Sequence, residues 1–129
     1  MPRRVFIGGL VALVTAVVGG AALALGQARR ARNRPRRVTL DRPTVDGVSF
    51  HGDVLLVRQG QELRALSARC THLGCRLSQV EQGLLVCACH GSRFDAAGRR
   101  KRGPAERDLA VLAIEERSEP GRIDVVLAD

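Results

Sequence analysis

All four cysteines and two of the three histidines lie in the 21 residues from Cys70 to His90. They form two boxes, Cys70-Thr71-His72-Leu73-Gly74-Cys75 and Cys87-Ala88-Cys89-His90-Gly91-Ser92. Each box offers a cysteine and a histidine two or three residues apart, plus one further cysteine. Two thiolates and two imidazoles on adjacent loops have ordinary metal-ligand spacing. Zinc would accept that donor set in a tetrahedron. Against zinc, the second box ends in Gly91-Ser92, whose backbone and hydroxyl donors suit an electron-rich centre. His51 stands apart beside Gly52 and reads as a turn histidine.

The boxes resemble those of the Rieske iron–sulfur proteins, and most closely their high-potential, quinol-oxidising branch. The carrying patterns are C-T-H-L-G-C and C-x-C-H-G-S, with 14 residues between His72 and Cys87. The likeness continues through Phe94-Asp95, Gly98 and Arg102-Gly103-Pro104-Ala105, and covers residues 45–127. It implies a 2Fe-2S cluster with Cys70 and Cys87 on one iron and His72 and His90 on the other. It further implies that Cys75 and Cys89, near the ends of the two boxes and in equivalent places, form a disulfide clamping the loops. The Ser92 hydroxyl would donate to a bridging sulfide, and Leu73 would shield the cluster and face a docking surface. Phe94 departs from the pattern, because high-potential members usually carry a tyrosine there whose hydroxyl donates to a cysteine sulfur.

Charge counting shows why histidine suits such a centre. Two ferric ions, two sulfides and two thiolates cancel when the imidazoles are neutral, so an added electron meets no net negative charge. Potentials then lie at roughly −150 to +300 mV rather than near −400 mV. A ligand histidine also keeps a free ring nitrogen, so proton uptake can accompany electron uptake. A quinol must lose both, which gives His72 and His90 the catalytic role.

The elements that must position these boxes are short and β-like. Val54–Val57, a turn around Gly60, and Glu62–Leu66 read as a hairpin. Leu84–Val86 leaves a turn at Glu81-Gln82-Gly83, while Leu112–Ile114 and Ile123–Leu127 flank Ser118-Glu119-Pro120-Gly121. No stretch of the body keeps a helical period. The expected fold is all-β: a small Rieske-type antiparallel β-sandwich with a cluster-binding subdomain. With only Phe50 and Phe94 as aromatics in the body, such a core calls for a staple.

Ahead of this body stands a different kind of sequence. Val5–Leu25 is a run of 21 residues without a charge, long enough as a helix to span the roughly 30 Å of a bilayer's hydrocarbon. It is expected to be a transmembrane anchor rather than a cleaved signal. Gly8, Ala12, Ala16, Gly20 and Ala24 recur every fourth residue and form one small-residue face. Residues 1–37 hold eight of the 21 basic residues and none of the 13 acids. The remaining basic residues balance the acids, so the +8 charge belongs to this arm. That distribution and the scarcity of aromatics argue against a nucleic-acid-binding domain. The expected organisation is an anchor over residues 1–27, an arginine-rich extended linker over 28–37, and the cluster domain over 38–129.

Orientation is contested within the sequence. Six arginines after the apolar run favour a cytoplasmic body by the positive-inside rule. Pro2-Arg3-Arg4-Val5-Phe6-Ile7 partly resembles a twin-arginine signal, which exports folded, cofactor-loaded proteins. A disulfide also belongs on the oxidising side, and the body is expected outside the cytoplasmic membrane. The resemblance then implies a single-pass subunit working with a b-type cytochrome, a quinol and a c-type cytochrome. A Rieske subunit of another oxidoreductase, similar to the small subunit of arsenite oxidase, and a structural zinc module are the alternatives.

Overall fold

A computed structural model describes the backbone of residues 3–32 and 35–127, and side chains for residues 13–29 and 35–127. Two compact units divide the chain at Arg34/Pro35. The first contains one helix, α1 (Arg3–Arg32). Leu13, Val14, Val17, Val18, Leu23 and Leu25 are all exposed on it. Among the described residues, no helix is long and apolar enough to cross a membrane. The start of the expected anchor, residues 5–12, lies outside the described side chains, as do Pro2 and the side chains of Arg3 and Arg4.

The extended linker expected at 28–37 is not what the described residues of that stretch adopt. Helix persists to Arg32, and a strand begins at Arg36. Alanine, glutamine and arginine are good helix formers, and Pro35 lacks the amide hydrogen that a helix interior needs. Beyond it Val38 and Leu40 are half-buried while Arg37, Thr39 and Asp41 are exposed, the period of a strand with one covered face.

Among the described residues, ten strands make the second unit: β1 (Arg36–Asp41), β2 (Gly47–His51), β3 (Val54–Gln59), β4 (Glu62–Ser67), β5 (Gln79–Glu81), β6 (Leu84–Val86), β7 (Arg93–Phe94), β8 (Arg100–Arg102), β9 (Val111–Glu116) and β10 (Arg122–Leu127). Six form an antiparallel sheet in the order β1-β10-β9-β4-β3-β2, and four form a second in the order β5-β6-β7-β8. The expected hairpin is β3–β4, the strand expected to leave a turn is β6, which pairs with β5, and the expected strand–turn–strand is the β9–β10 hairpin. At the β5–β6 turn Gln82 and Gly83 both have positive φ, the geometry that matches strand twist in a two-residue turn. His51 ends β2 at the turn into β3.

The larger sheet curls at its β4–β9 joint, where only Ala65↔Leu112 and Leu66↔Val111 pair. The curl gives β3 two covered faces. Val54 and Leu56 join Ala65, Leu112, Ile123 and Val125 in one cluster. Leu55 and Val57 join Leu66, Leu77, Leu85, Phe94, Ala105 and Leu109 in another, which also takes in Cys70 and Cys87. The continuous apolar run Val54–Val57 is therefore the signature of a strand buried on both sides. Through that second cluster the curled sheet supports the four-stranded sheet and the two boxes.

Candidate metal centre

Each cysteine–histidine box caps a two-stranded stem, and the two caps are built alike. In the first, Gly74 N–H donates to the Cys70 carbonyl (2.9 Å) and Cys70 N–H to the Cys75 carbonyl (2.8 Å). In the second, Gly91 N–H donates to the Cys87 carbonyl (3.0 Å) and Cys87 N–H to the Ser92 carbonyl (2.9 Å). Gly74 and Gly91 share a φ of 73°, a left-handed value that suits glycine at the same point of both loops. Aligning the two caps corrects the expectation that Cys75 and Cys89 occupy equivalent places. Cys75 matches Ser92, while Cys89 matches His72. The disulfide joins the sixth position of one loop to the third position of the other.

That disulfide, Cys75–Cys89, is present with its Cα atoms 6.6 Å apart. Cys70 and Cys87 are free and buried, and the Sγ atoms of Cys75, Cys87 and Cys89 lie within 4.8 Å of one another. Burial pushes the Cys87 thiol up, and the neighbouring Cys70 thiol pushes it further. The imidazoles of His72 and His90 meet edge to face, with centroids 4.9 Å apart and planes at 85°. His72 Nδ1 is buried without a hydrogen-bond partner, whereas the His90 residue is exposed. The loops carry two free buried thiols and a buried nitrogen whose missing partner is costly and calls for a ligand. A soft, thiolate- and imidazole-binding metal centre fits them.

The walls of the site come from further along the chain. Ser92 is fully buried, and its hydroxyl accepts the Ala105 N–H at 3.1 Å, leaving its own proton free to donate. Gly103 packs on the backbone of Gly91-Ser92 so closely that a Cβ there would sit 2.9 Å from Ser92 N and 3.0 Å from Gly91 O. Thr71 donates to the Arg107 carbonyl at 2.6 Å, tying the first loop to the segment after Pro104. Phe94 is fully buried in the same cluster as both free cysteines. Leu73, at the tip of the first loop, is 69% exposed.

One residue near the site escaped sequence reasoning. Asp53, in the β2–β3 turn, pairs with Arg69 and Arg76, the residues flanking the first box on either side. Hydrogen bonds from Arg69 and then Arg76 hold its carboxyl below the usual carboxylate range. No motif marks such an aspartate, because its partners lie 16 and 23 residues away.

Paired loops clamped by a disulfide, two buried thiols and two touching imidazoles on a small antiparallel scaffold define an iron–sulfur protein of the mixed cysteine–histidine kind. The Rieske 2Fe-2S domain family matches residues 33–113; the chain belongs to that family, and its cofactor is a 2Fe-2S cluster. The zinc alternative falls with that assignment. The chain is 35% identical over 75 residues to a cytochrome b6-f complex iron-sulfur subunit of Synechococcus elongatus, covering 56% of this chain and 42% of the relative. For the corresponding subunit of Prochlorococcus marinus the identity is 37% over 78 residues, covering 58% and 44%. The chain thus spans less than half the length of these curated relatives. A chain of a hyperthermophilic respiratory Complex III is 25% identical, with 94% of this chain and 98% of that one covered and a TM-score of 0.49.

Proposed function

We propose that this chain is the electron-transfer subunit of a quinol-oxidising, bc-type complex, held to the cytoplasmic membrane by its N-terminal helix with the β domain on the outer side. The carrying observation is the pairing of a His72 with a buried, unpartnered Nδ1 and a solvent-exposed His90 at the tips of two clamped loops. Cys70, His72, Cys87 and His90 would hold the cluster, which when bound supplies one-electron redox chemistry. The chain's own residues do the rest. An exposed ring nitrogen of His90 accepts the hydrogen bond, and then the proton, of a quinol hydroxyl. The disulfide and the Gly103 contact fix the loops, so the imidazoles need no rearrangement. Leu73 offers apolar surface to a b-type membrane subunit, and a c-type cytochrome takes the electron on. The uncharged run Val5–Leu25 supports the anchor, and the disulfide supports the oxidising side.

The test is reduction of a c-type cytochrome by quinol in native membranes, with and without this chain. Removal should abolish it, and restoring the chain should restore it. The isolated protein should show a midpoint potential that falls as pH rises from about 6 to about 10. Loss of arsenite-dependent rather than quinol-dependent reduction would assign the chain to a different oxidoreductase.

A further inference from the structure

The two loop stems are supported very differently. The second stem continues into β6 and β7, inside the four-stranded sheet, and has Gly103 packed against its cap. The first stem is a lone ladder of three residue pairs. Leu77 N–H donates to the Ala68 carbonyl, Arg69 bridges Arg76, and Cys70 N–H donates to the Cys75 carbonyl. The middle pair sets two guanidinium side chains directly opposite each other, a like-charge arrangement that destabilises a ladder.

Asp53 answers that repulsion. Its Oδ1 is 3.0 Å from Arg69 Nε and accepts Arg76 Nη2 at 2.8 Å and Arg76 Nε at 3.1 Å. Its Oδ2 accepts Arg69 Nη2 at 3.2 Å. The Asp53 main-chain carbonyl also accepts the Ala68 N–H at 2.8 Å, at the root of the same stem. Arg69, held in this way, donates from Nη1 to the Gly74 carbonyl inside the loop at 3.3 Å. The Asp53 side chain is one-quarter exposed, partly withdrawn from the screening that weakens surface pairs.

We infer that Asp53 is a positioning residue for the metal centre: its carboxylate locks both arms of the Cys70–Cys75 loop to the β2–β3 turn and so sets where Cys70 and His72 present their ligand atoms. The disulfide ties the first loop to the second, and Asp53 ties it to the curled sheet. These restraints are independent. This role rests on the cluster alone and holds whatever the electron donor proves to be.

The test compares full-length wild type, Asp53→Asn, the double variant R69Q/R76Q, and the triple variant combining them. Readouts are visible circular dichroism of the cluster, the EPR g-values of its reduced form, and the rate of cluster bleaching in EDTA. Asp53→Asn should shift the visible and EPR signatures and speed bleaching about fivefold, the factor that corresponds to a small loss of restraint. In the R69Q/R76Q background the same substitution should change little, because the charges it neutralised are gone. Unchanged spectra with wild-type bleaching in Asp53→Asn would overturn the inference. So would an equal effect of Asp53→Asn in both backgrounds. If Asp53→Asn alone is isolated without cluster, the triple variant decides. Retention of cluster there, as in R69Q/R76Q, supports the role, and its loss overturns it.

Discussion

A Cβ built on Gly103 would stand 2.5 Å from the Cα of Ser92. The obstacle is backbone, with no flexible side chain to give way, and the φ of +101° at Gly103 is itself unsuited to an L side chain. Gly103→Ala must therefore push the second cysteine–histidine loop or distort the segment before Pro104. We expect a loss of roughly 2–5 kcal/mol from strain and overpacking together. Thermal unfolding and cluster content should fall together. A variant with wild-type values of both would show that the contact is not tight.

Ser92→Ala removes the acceptor for the buried Ala105 N–H. An unpaired buried amide costs about 1–3 kcal/mol, so the melting temperature should drop. If the same hydroxyl donates to a bridging sulfide, the midpoint potential should fall as well, by about 40 mV for a hydrogen bond of about 1 kcal/mol. A lower melting temperature with an unchanged midpoint would confine Ser92 to holding Ala105.

Phe94 is fully buried in the cluster that contains Cys70 and Cys87, so a hydroxyl added to it enters their surroundings. Phe94→Tyr should raise the midpoint, by about 40 mV if the new donor reaches a cysteine sulfur. Redox titration of the folded variant checks this. No rise would sink the idea that phenylalanine lowers the potential here.

Carboxyls held low in the fold, Asp53 and Asp124 among them, make stability sensitive to acid. Hydrogen bonds from Arg69 and Arg76 hold Asp53 low. Asp124 is held low by the Thr39 hydroxyl and, against some burial, by Arg117. Each has a folded pKa below its unfolded one, so its contribution is complete above the ordinary carboxylate value of about 3.9. It is lost as pH falls through the lowered folded values. Denaturant unfolding should give stability that is flat near neutrality and declines below about pH 4, more gently in high salt. Asp53→Asn should remove part of that decline.

Patterns of residue type were readable where one short segment carried the whole message. The two boxes announced a metal site because six donor residues crowd 21 positions. The β3–β4 and β9–β10 hairpins announced themselves by apolar runs around glycine turns. What stayed hidden depends on partners far apart in the chain. Arg36 and Arg37 looked like linker because their charge masks the alternation of Val38 and Leu40, which gains meaning only beside β10. The curl at Ala65↔Leu112 has no local signal. Nor does Gly103, whose need to be glycine comes from Ser92, or Asp53, whose need to be acidic comes from two arginines. The offset between Cys75 and Cys89 was misread because it lies in backbone hydrogen bonds, not in letter spacing.

Strand β3 is apolar on both faces over Val54–Val57, so sliding it by one residue would displace one apolar side chain at an end of the run rather than its whole core face. Hydrophobicity, which ordinarily selects a strand's register, therefore discriminates only at the ends. The choice falls to the ends of the strand. Beyond one end, the Asp46 carboxylate receives the Gly60 N–H at 2.9 Å. At the other, the Asp53 carbonyl receives the Ala68 N–H at 2.8 Å. Two aspartates outside either apolar cluster thereby act as the strand's proofreaders, deciding whether Leu55 or Leu56 looks toward the cysteines. A substitution that removes the Asp46 carboxylate takes away one of these stops while leaving every core residue in place.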